Sequence, residues 1–196
     1  MKKLVSLIGL FVVLNLPFAC NPCGPFDNRP YKIVSMSSLI GSVQNLEFND
    51  EALTEFELAS IKIQVNDVEQ VGLNVPTSFN LSSSAFACSP SPPNVQILET
   101  VIITSTENIM FNDTEFLAGS NLNSLFKVIY ARQEFTIDEF IVEHSRNSWD
   151  FGLMNSFVLF QLVAKPDVKI AQKFTFTFTF DDGLEYQVLT PVFTVD

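Results

Sequence analysis

The sequence predicts a mainly β protein whose strands pair antiparallel into a sandwich. Apolar and polar residues alternate with a period of two in several segments, which indicates strands with one buried face. Clusters of Pro, Gly, Asn and Asp separate these segments, as expected for turns. The third observation is the closing "FTFTFTFDDG", a strand followed by a turn. We expect one domain over residues 31–196, which is long enough to bury a core.

The first half of the domain is predicted to supply three strands. "YKIVSMSSLI" begins at Tyr31, and "SIKIQVNDV" places Ile61, Ile63 and Val65 on one face. The third segment, "VQILETVIITS", is rich in β-branched residues and predicts a buried strand. The prolines of "CSPSPPN" before it exclude a central strand there and indicate a loop.

Two helical signals interrupt the strands. Ser120 is predicted to cap about one turn over "NLNSLF". Thr136 stands three residues before Glu139, the spacing of a capping box. An apolar stripe follows at helical spacing, formed by Ile137, Phe140, Ile141 and His144. On this stripe we interpret His144 as a buried or edge residue rather than a ligand.

The C-terminal hairpin is the clearest prediction. Side chains alternate along a strand, so four phenylalanines point to one face and three threonines to the other. Asp181, Asp182 and Gly183 supply the turn; calcium binding is the alternative interpretation of the two aspartates. With about seven or eight strands in all, we expect an immunoglobulin-like sandwich.

The N-terminus resembles an export signal. Lys2 and Lys3 precede an apolar run over residues 4–18, which at 15 residues is shorter than the about 20 needed to span a bilayer. Ala19 then precedes Cys20, the arrangement found in bacterial lipoproteins, where the cysteine is acylated. We therefore expect a signal peptide over residues 1–19, lipidation at Cys20 and a tether over residues 20–30. Ordinary cleavage to a soluble product and an uncleaved anchor are the alternatives.

Cys20 and Cys23 look like a CxxC motif, but lipidation of Cys20 removes one of the pair. A structural zinc site needs about four ligands, whereas the chain offers only three cysteines and His144, has no second CxxC and is expected to use Cys20 for the lipid, so we predict no metal site there. Cys23 is left with one possible partner, Cys88. In an oxidising compartment we expect these two to form a disulfide, with two free thiols as the alternative.

The predicted Cys23–Cys88 disulfide closes a loop of about 65 positions. In the chain-entropy model a loop of this length adds roughly 4 kcal/mol to the free energy of unfolding, less any strain. Intact mass after alkylation, with and without reductant, tests the bond. Two alkylated cysteines in the unreduced, denatured protein would exclude it.

Composition narrows the function. Removal of residues 1–19 leaves 9 basic against 22 acidic residues, a net charge near −13, so nucleic acid is not an expected partner. The chain has 20 Phe against 3 Tyr and 1 Trp, which favours core over exposed sugar-binding platforms. No catalytic constellation or cofactor motif is recognisable. We predict no catalytic residue and no cofactor.

The signal peptide ending at Cys20, "CNPCGPF", "AGSNLNSLF" and the closing "FTFTFTFDDG" together resemble Bacteroidetes-type envelope lipoproteins of families of unknown function. The resemblance implies an outer-membrane lipoprotein with a β-rich domain and brings no activity. The expected function is a non-catalytic binding module held to the membrane by its lipid, with a glycan or an envelope protein as partner. A subunit of a surface or fimbria-like complex and a glycan-processing enzyme are the alternatives. Whether the protein faces the cell surface or the periplasm is left open.

Overall fold

The computed structural model describes residues 30–42, 48–49, 56, 59–71, 94–146 and 156–195. These residues form one α-helix, one 3-10 helix and thirteen strands. The strands are β1 (Tyr31–Ser42), β2 (Phe48–Asn49), β3 (Ala59–Gln70), β4 (Leu98–Ser105), β5 (Ile109–Phe111), β6 (Thr114–Phe116), β7 (Phe126–Tyr130), β8 (Gln133–Phe135), β9 (Phe157–Leu162), β10 (Ile170–Gln172), β11 (Phe174–Phe180), β12 (Glu185–Leu189) and β13 (Phe193–Val195). The helix α1 is Ile137–Arg146, and the 3-10 helix is Asn123–Leu125.

Two antiparallel sheets form the layers of a sandwich. The larger sheet has the order β2-β1-β3-β9-β7-β8, and the smaller has the order β12-β11-β4. Two further pairs, β10 with β13 and β5 with β6, lie beside them. The predicted mainly β, antiparallel architecture is confirmed, while the immunoglobulin-like topology stays a prediction. The sequence accounts for fewer strands than the structure contains, because several strands have only two or three residues.

Aromatic side chains fill the space between the sheets. Phe174, Phe176, Phe178 and Phe180 are at most 1% exposed, which confirms the predicted orientation of the hairpin. Across the layers, the rings of Phe160 and Phe176 have centroids 4.7 Å apart. The turn is also confirmed, with Gly183 at φ 77° closing a three-residue loop.

Two predictions about elements are wrong. The "VQILETVIITS" segment is not buried throughout, because only one face of β4 packs inward; Ile102 on the other face is 40% exposed. Antiparallel sheets commonly leave one face in water in this way. Ser120 does not cap the short helix, since its hydroxyl donates to the carbonyl of Leu117 at 2.7 Å. The 3-10 helix begins after Leu122, and its first amide, that of Asn123, donates to Asn121 Oδ1 at 2.8 Å.

The capping box is confirmed at the start of α1. The amide of Glu139 donates to Thr136 Oγ1 at 3.2 Å, and Glu139 Oε2 accepts from the Thr136 amide at 2.8 Å. The two bonds satisfy donors that a helix start otherwise leaves unpaired. Phe140, fully buried, anchors the helix against Tyr130, with ring centroids 5.9 Å apart.

Thr136→Ala is expected to lower the free energy of unfolding by about 0.5–2 kcal/mol, the usual cost of losing such a cap. The hydrogen bonds from Thr136 lower the pKa of the Glu139 carboxyl below its usual 4.5. The stabilisation that this carboxylate adds is therefore present above that value and lost as the pH falls through the lowered pKa. Urea melts from pH 7 to pH 3 test both points. The difference between wild type and Glu139→Gln should shrink toward pH 3, and a constant difference would contradict the assignment.

The sandwich has two distinct ends, named here after the residues that mark them. At the Pro30 end, Tyr31 pairs with Gln70, and Asp181 of the hairpin turn bonds Ile97 just before β4. At the opposite Phe174 end lie the start of β11 and the end of β4, where Phe174 pairs with Ser105. The N-terminal segment therefore enters the domain at the Pro30 end, and the Phe174 end lies on the opposite side of the sandwich.

Candidate functional site

A polar network joins the two sheets at the Pro30 end. The buried carboxamide of Gln96 accepts from the Ile33 amide at 2.6 Å and donates to Asp182 Oδ2 at 2.9 Å. Tyr186 completes it by donating its hydroxyl to the Ile33 carbonyl at 2.5 Å. The network ties β1 of one sheet to the β11–β12 hairpin of the other. Its groups satisfy one another, so we assign it a structural role.

A second buried group lies beside this network. The Tyr31 side chain is 4% exposed, and its hydroxyl has no hydrogen-bond partner in the structure. Burial raises the pKa of this phenol to about 12. Tyr31 is therefore neutral at physiological pH.

An opening toward the Phe174 end is called here the large cleft. It encloses about 800 Å³ between the segment around the 3-10 helix and the segment from β8 into α1. Ligand sites in proteins usually fall between roughly 300 and 1,000 Å³. Its walls combine amide, hydroxyl, charged and apolar groups, among them Asn121, Ser124, Lys127, Glu134, Phe135, Asp138 and Val163.

Most of the charge in the large cleft is already engaged. Lys127 Nζ lies 2.8 Å from Glu134 Oε1, and Glu139 is held by Thr136. The lowered pKa of Glu139 makes it a poor proton donor at neutral pH. Asp138 makes no hydrogen bond or ion pair with any residue that the structure describes, and it is exposed. The cleft thus offers an acceptor-rich, partly apolar surface of net negative charge.

One lysine lies on the outer face of the larger sheet. Lys62 Nζ is 4.7 Å from the ring centroid of Phe157 and 5.5 Å from that of Phe48. Burial lowers the pKa of this ammonium group. Contact with two ring faces stabilises the cation, so we assign Lys62 to the packing of this face.

The residues singled out from the sequence fall mostly outside the described ranges. Cys20, Cys23 and Cys88 lie there, as does the side chain of His144, so lipidation and the disulfide stay predictions. Within the described ranges no three Cys, His, Asp or Glu side chains come together as metal ligands. No helix in the described part of the chain is both long and apolar enough to cross a bilayer.

The fold defines the class of the protein as an antiparallel β-sandwich. No protein-family model matches the chain, and neither curated proteins nor solved structures gave a match.

Proposed function

We propose that this protein is a lipid-anchored, non-catalytic binding module of the bacterial cell envelope. The observation that carries the proposal is the N-terminal pattern, a cationic start and an apolar run that ends in Ala19 and Cys20. One acyl chain holds a protein only marginally, since each buried CH₂ adds roughly 0.8 kcal/mol, whereas two or three chains hold it stably. Outer-membrane localisation follows from the resemblance to envelope lipoproteins.

The position of the large cleft supports this role. Residues 20–30 span at most about 35 Å when extended, and they lead into the Pro30 end of the sandwich. A module anchored through Cys20 would therefore hold its Phe174 end, with the large cleft, away from the bilayer. A ligand in solution or on a neighbouring molecule would reach that end without passing the membrane surface.

The chemistry of the large cleft supports binding of a neutral, hydroxyl-rich ligand such as a glycan. Asn121 and Ser124 provide amide and hydroxyl groups, and Asp138 provides an unengaged carboxylate that can accept from sugar hydroxyls. Phe135 is half-buried at the wall and offers an apolar contact. A glycan array probed with wild type and with Asp138→Ala tests this ligand class. Selective loss of signal in the variant is expected, and equal signals from both proteins would exclude the cleft as the glycan site.

Lipidation is tested by metabolic labelling with palmitate. Labelled palmitate should enter the wild-type protein and be absent from Cys20→Ala, which should either become soluble or keep its signal peptide. Cys23→Ala is the matched control and should label like wild type. Label in Cys20→Ala together with membrane fractionation would contradict the anchor. Protease shaving of intact cells then separates a surface-facing from a periplasmic protein.

A further inference from the structure

A gap in the smaller sheet opens at the Phe174 end. β10 and β13 continue the β11–β12 hairpin. Where the two strand pairs meet, the Phe174 amide donates to Thr190 Oγ1 and the Thr190 amide donates to the Phe174 carbonyl, at 2.9 Å each. β4 follows β11 only as far as Thr106, whose amide donates to the Lys173 carbonyl at 3.2 Å. Beyond this point β5 turns away and pairs with β6 instead. The position beside β10 that a longer β4 would fill is empty of chain among the described residues.

The gap forms a second opening, called here the strand cleft, of about 310 Å³ between residues 107–110 and 168–172. No hydrogen bond joins these two segments in the described part of the chain. The backbone N–H and C=O groups of successive residues point to opposite edges of a strand. β5 uses one edge to pair with β6, and β10 uses one edge to pair with β13. By this alternation the N–H and C=O of Met110 and of Ala171 face the cleft.

A buried acceptor borders the strand cleft. Gln172 is 8% exposed, and its Oε1 has no hydrogen-bond partner among the residues that the structure describes. A buried polar group without a partner typically costs about 1–3 kcal/mol, so such groups are rare in native proteins and call for an explanation. The missing partner is a donor, either N–H or O–H. Because this oxygen is itself shielded from solvent, an N–H group of an added strand would pair with it after the Gln172 side chain turns toward the cleft.

We propose that the strand cleft binds an extended peptide segment of a partner protein, which adds a strand between β5 and β10. The two edges offer backbone donors and acceptors, the groups that an added strand pairs with in β-augmentation. Since β5 and β10 continue antiparallel neighbours, the segment lies parallel to one and antiparallel to the other. About three residues match the length of each edge. This inference adds a peptide ligand at a second cleft to the glycan proposed for the large cleft, and it depends neither on that proposal nor on the lipid anchor.

The side chains around the strand cleft limit which segments fit. Met110 and Val168 are 44% and 53% exposed, so they favour an apolar residue in the segment. Glu107 and Lys169 both line the cleft, and the antiparallel direction of its two edges places them at opposite ends, which favours a basic residue at one end of the segment and an acidic residue at the other. Lys169 and Lys173 flank β10, and lysines on an open edge oppose pairing between identical edges. The occupant is therefore a different protein rather than a second copy.

The test is selection of a phage-displayed random heptapeptide library on the full chain, immobilised in detergent. The decisive variant is Ala171→Pro, which removes the N–H that faces the cleft and leaves the pairing with β13 intact. Proline is tolerated on edge strands of this kind. Ala171→Ser keeps the N–H and serves as the matched control. Selected peptides, measured by fluorescence polarisation, should bind Ala171→Pro about tenfold or more weakly, which corresponds to about 1.4 kcal/mol, and should bind Ala171→Ser like wild type.

Three further measurements make the outcome decisive. Methylation of one central peptide nitrogen should abolish binding even if Ala171→Pro fails to fold. Gln172→Met should weaken binding, yet it should raise the Tm of the free protein because it removes the unpaired oxygen. Cys20→Ala should bind as wild type does, which separates this inference from the anchor. Enrichment of no peptide would overturn the proposal. So would equal binding of the selected peptides to wild type and to Ala171→Pro together with equal binding of methylated and unmethylated peptide to wild type. A lowered Tm in Gln172→Met would mean that the Gln172 carboxamide stabilises the free protein, and this result would also count against the proposal.

Discussion

Phe176→Ala is expected to lower the free energy of unfolding by about 3–5 kcal/mol, the usual cost of truncating a buried Phe. Phe176 is fully buried at the centre of β11. Its ring centroid is 4.7 Å from that of Phe160, 6.2 Å from that of Phe126 and 6.5 Å from that of Phe178. The truncation would open a cavity between the two sheets, and the neighbouring β-strands can close it only in part. Urea or guanidinium melts followed by circular dichroism measure the loss.

Thr177→Ala is the matched control for this truncation. Thr177 is the next residue on the same strand, but its side chain lies half-buried on the outer face. Its loss should change the free energy of unfolding by less than about 1 kcal/mol. If Phe176→Ala cost less than about 1 kcal/mol, the Phe face would have to lie open, and it would become a candidate binding surface.

Gln96→Ala is expected to cost about 2–3 kcal/mol, because it leaves the buried Ile33 amide without an acceptor. The same change frees one oxygen of Asp182 and loosens the contact with Tyr186. Since the network joins the two sheets, we also expect faster hydrogen exchange at the start of β1. Denaturant melts and exchange of the Ile33 amide measure the two effects.

Gln187→Ala controls for the loss of a glutamine side chain. Gln187 is exposed on β12, so its removal should change the free energy of unfolding by no more than about 0.5 kcal/mol. Tyr186→Phe removes the bond to the Ile33 carbonyl and the longer contact with Gln96 Nε2, and its cost should fall between those of Gln96→Ala and Gln187→Ala. Equal melting of Gln96→Ala and Gln187→Ala would show that the network contributes nothing to the joining of the sheets.

The features that the sequence predicts correctly are local. The alternation of "FTFTFTF" determines which face packs inward, and the spacing of Thr136 and Glu139 determines where the helix begins. Each depends on residues fewer than ten positions apart, whose geometry the chain itself dictates. For the same reason the turn at Gly183 is predictable from three residues.

Non-local features could not be predicted. Gln96 and Ile33 are 63 positions apart, and nothing in either segment marks them as partners. The β7–β8 hairpin was missed because its loop is Ala131-Arg132, which adopts positive φ without the Asn or Gly usual there. The sequence also does not indicate the two clefts, since these arise where neighbouring strands separate. Exposure of Ile102 was missed because β-branched residues occur on both faces of a strand.

The repeat in β11 has a consequence for how the chain finds its fold. Because Phe and Thr alternate, a shift of β11 by two residues along β4 would keep every phenylalanine inward and every threonine outward. Hydrophobic burial alone therefore cannot select among these alignments. The native alignment is selected by Asp181 and by the fixed length of the turn. The Asp181 amide donates to the Ile97 carbonyl at 2.9 Å, and the Asp181 carboxylate accepts from the Ile97 amide at 2.8 Å. Without the hydrogen bonds between Asp181 and Ile97, the chain would be expected to populate compact, strand-rich forms in which β11 is misaligned with β4. Far-ultraviolet circular dichroism would scarcely distinguish these forms from the native state.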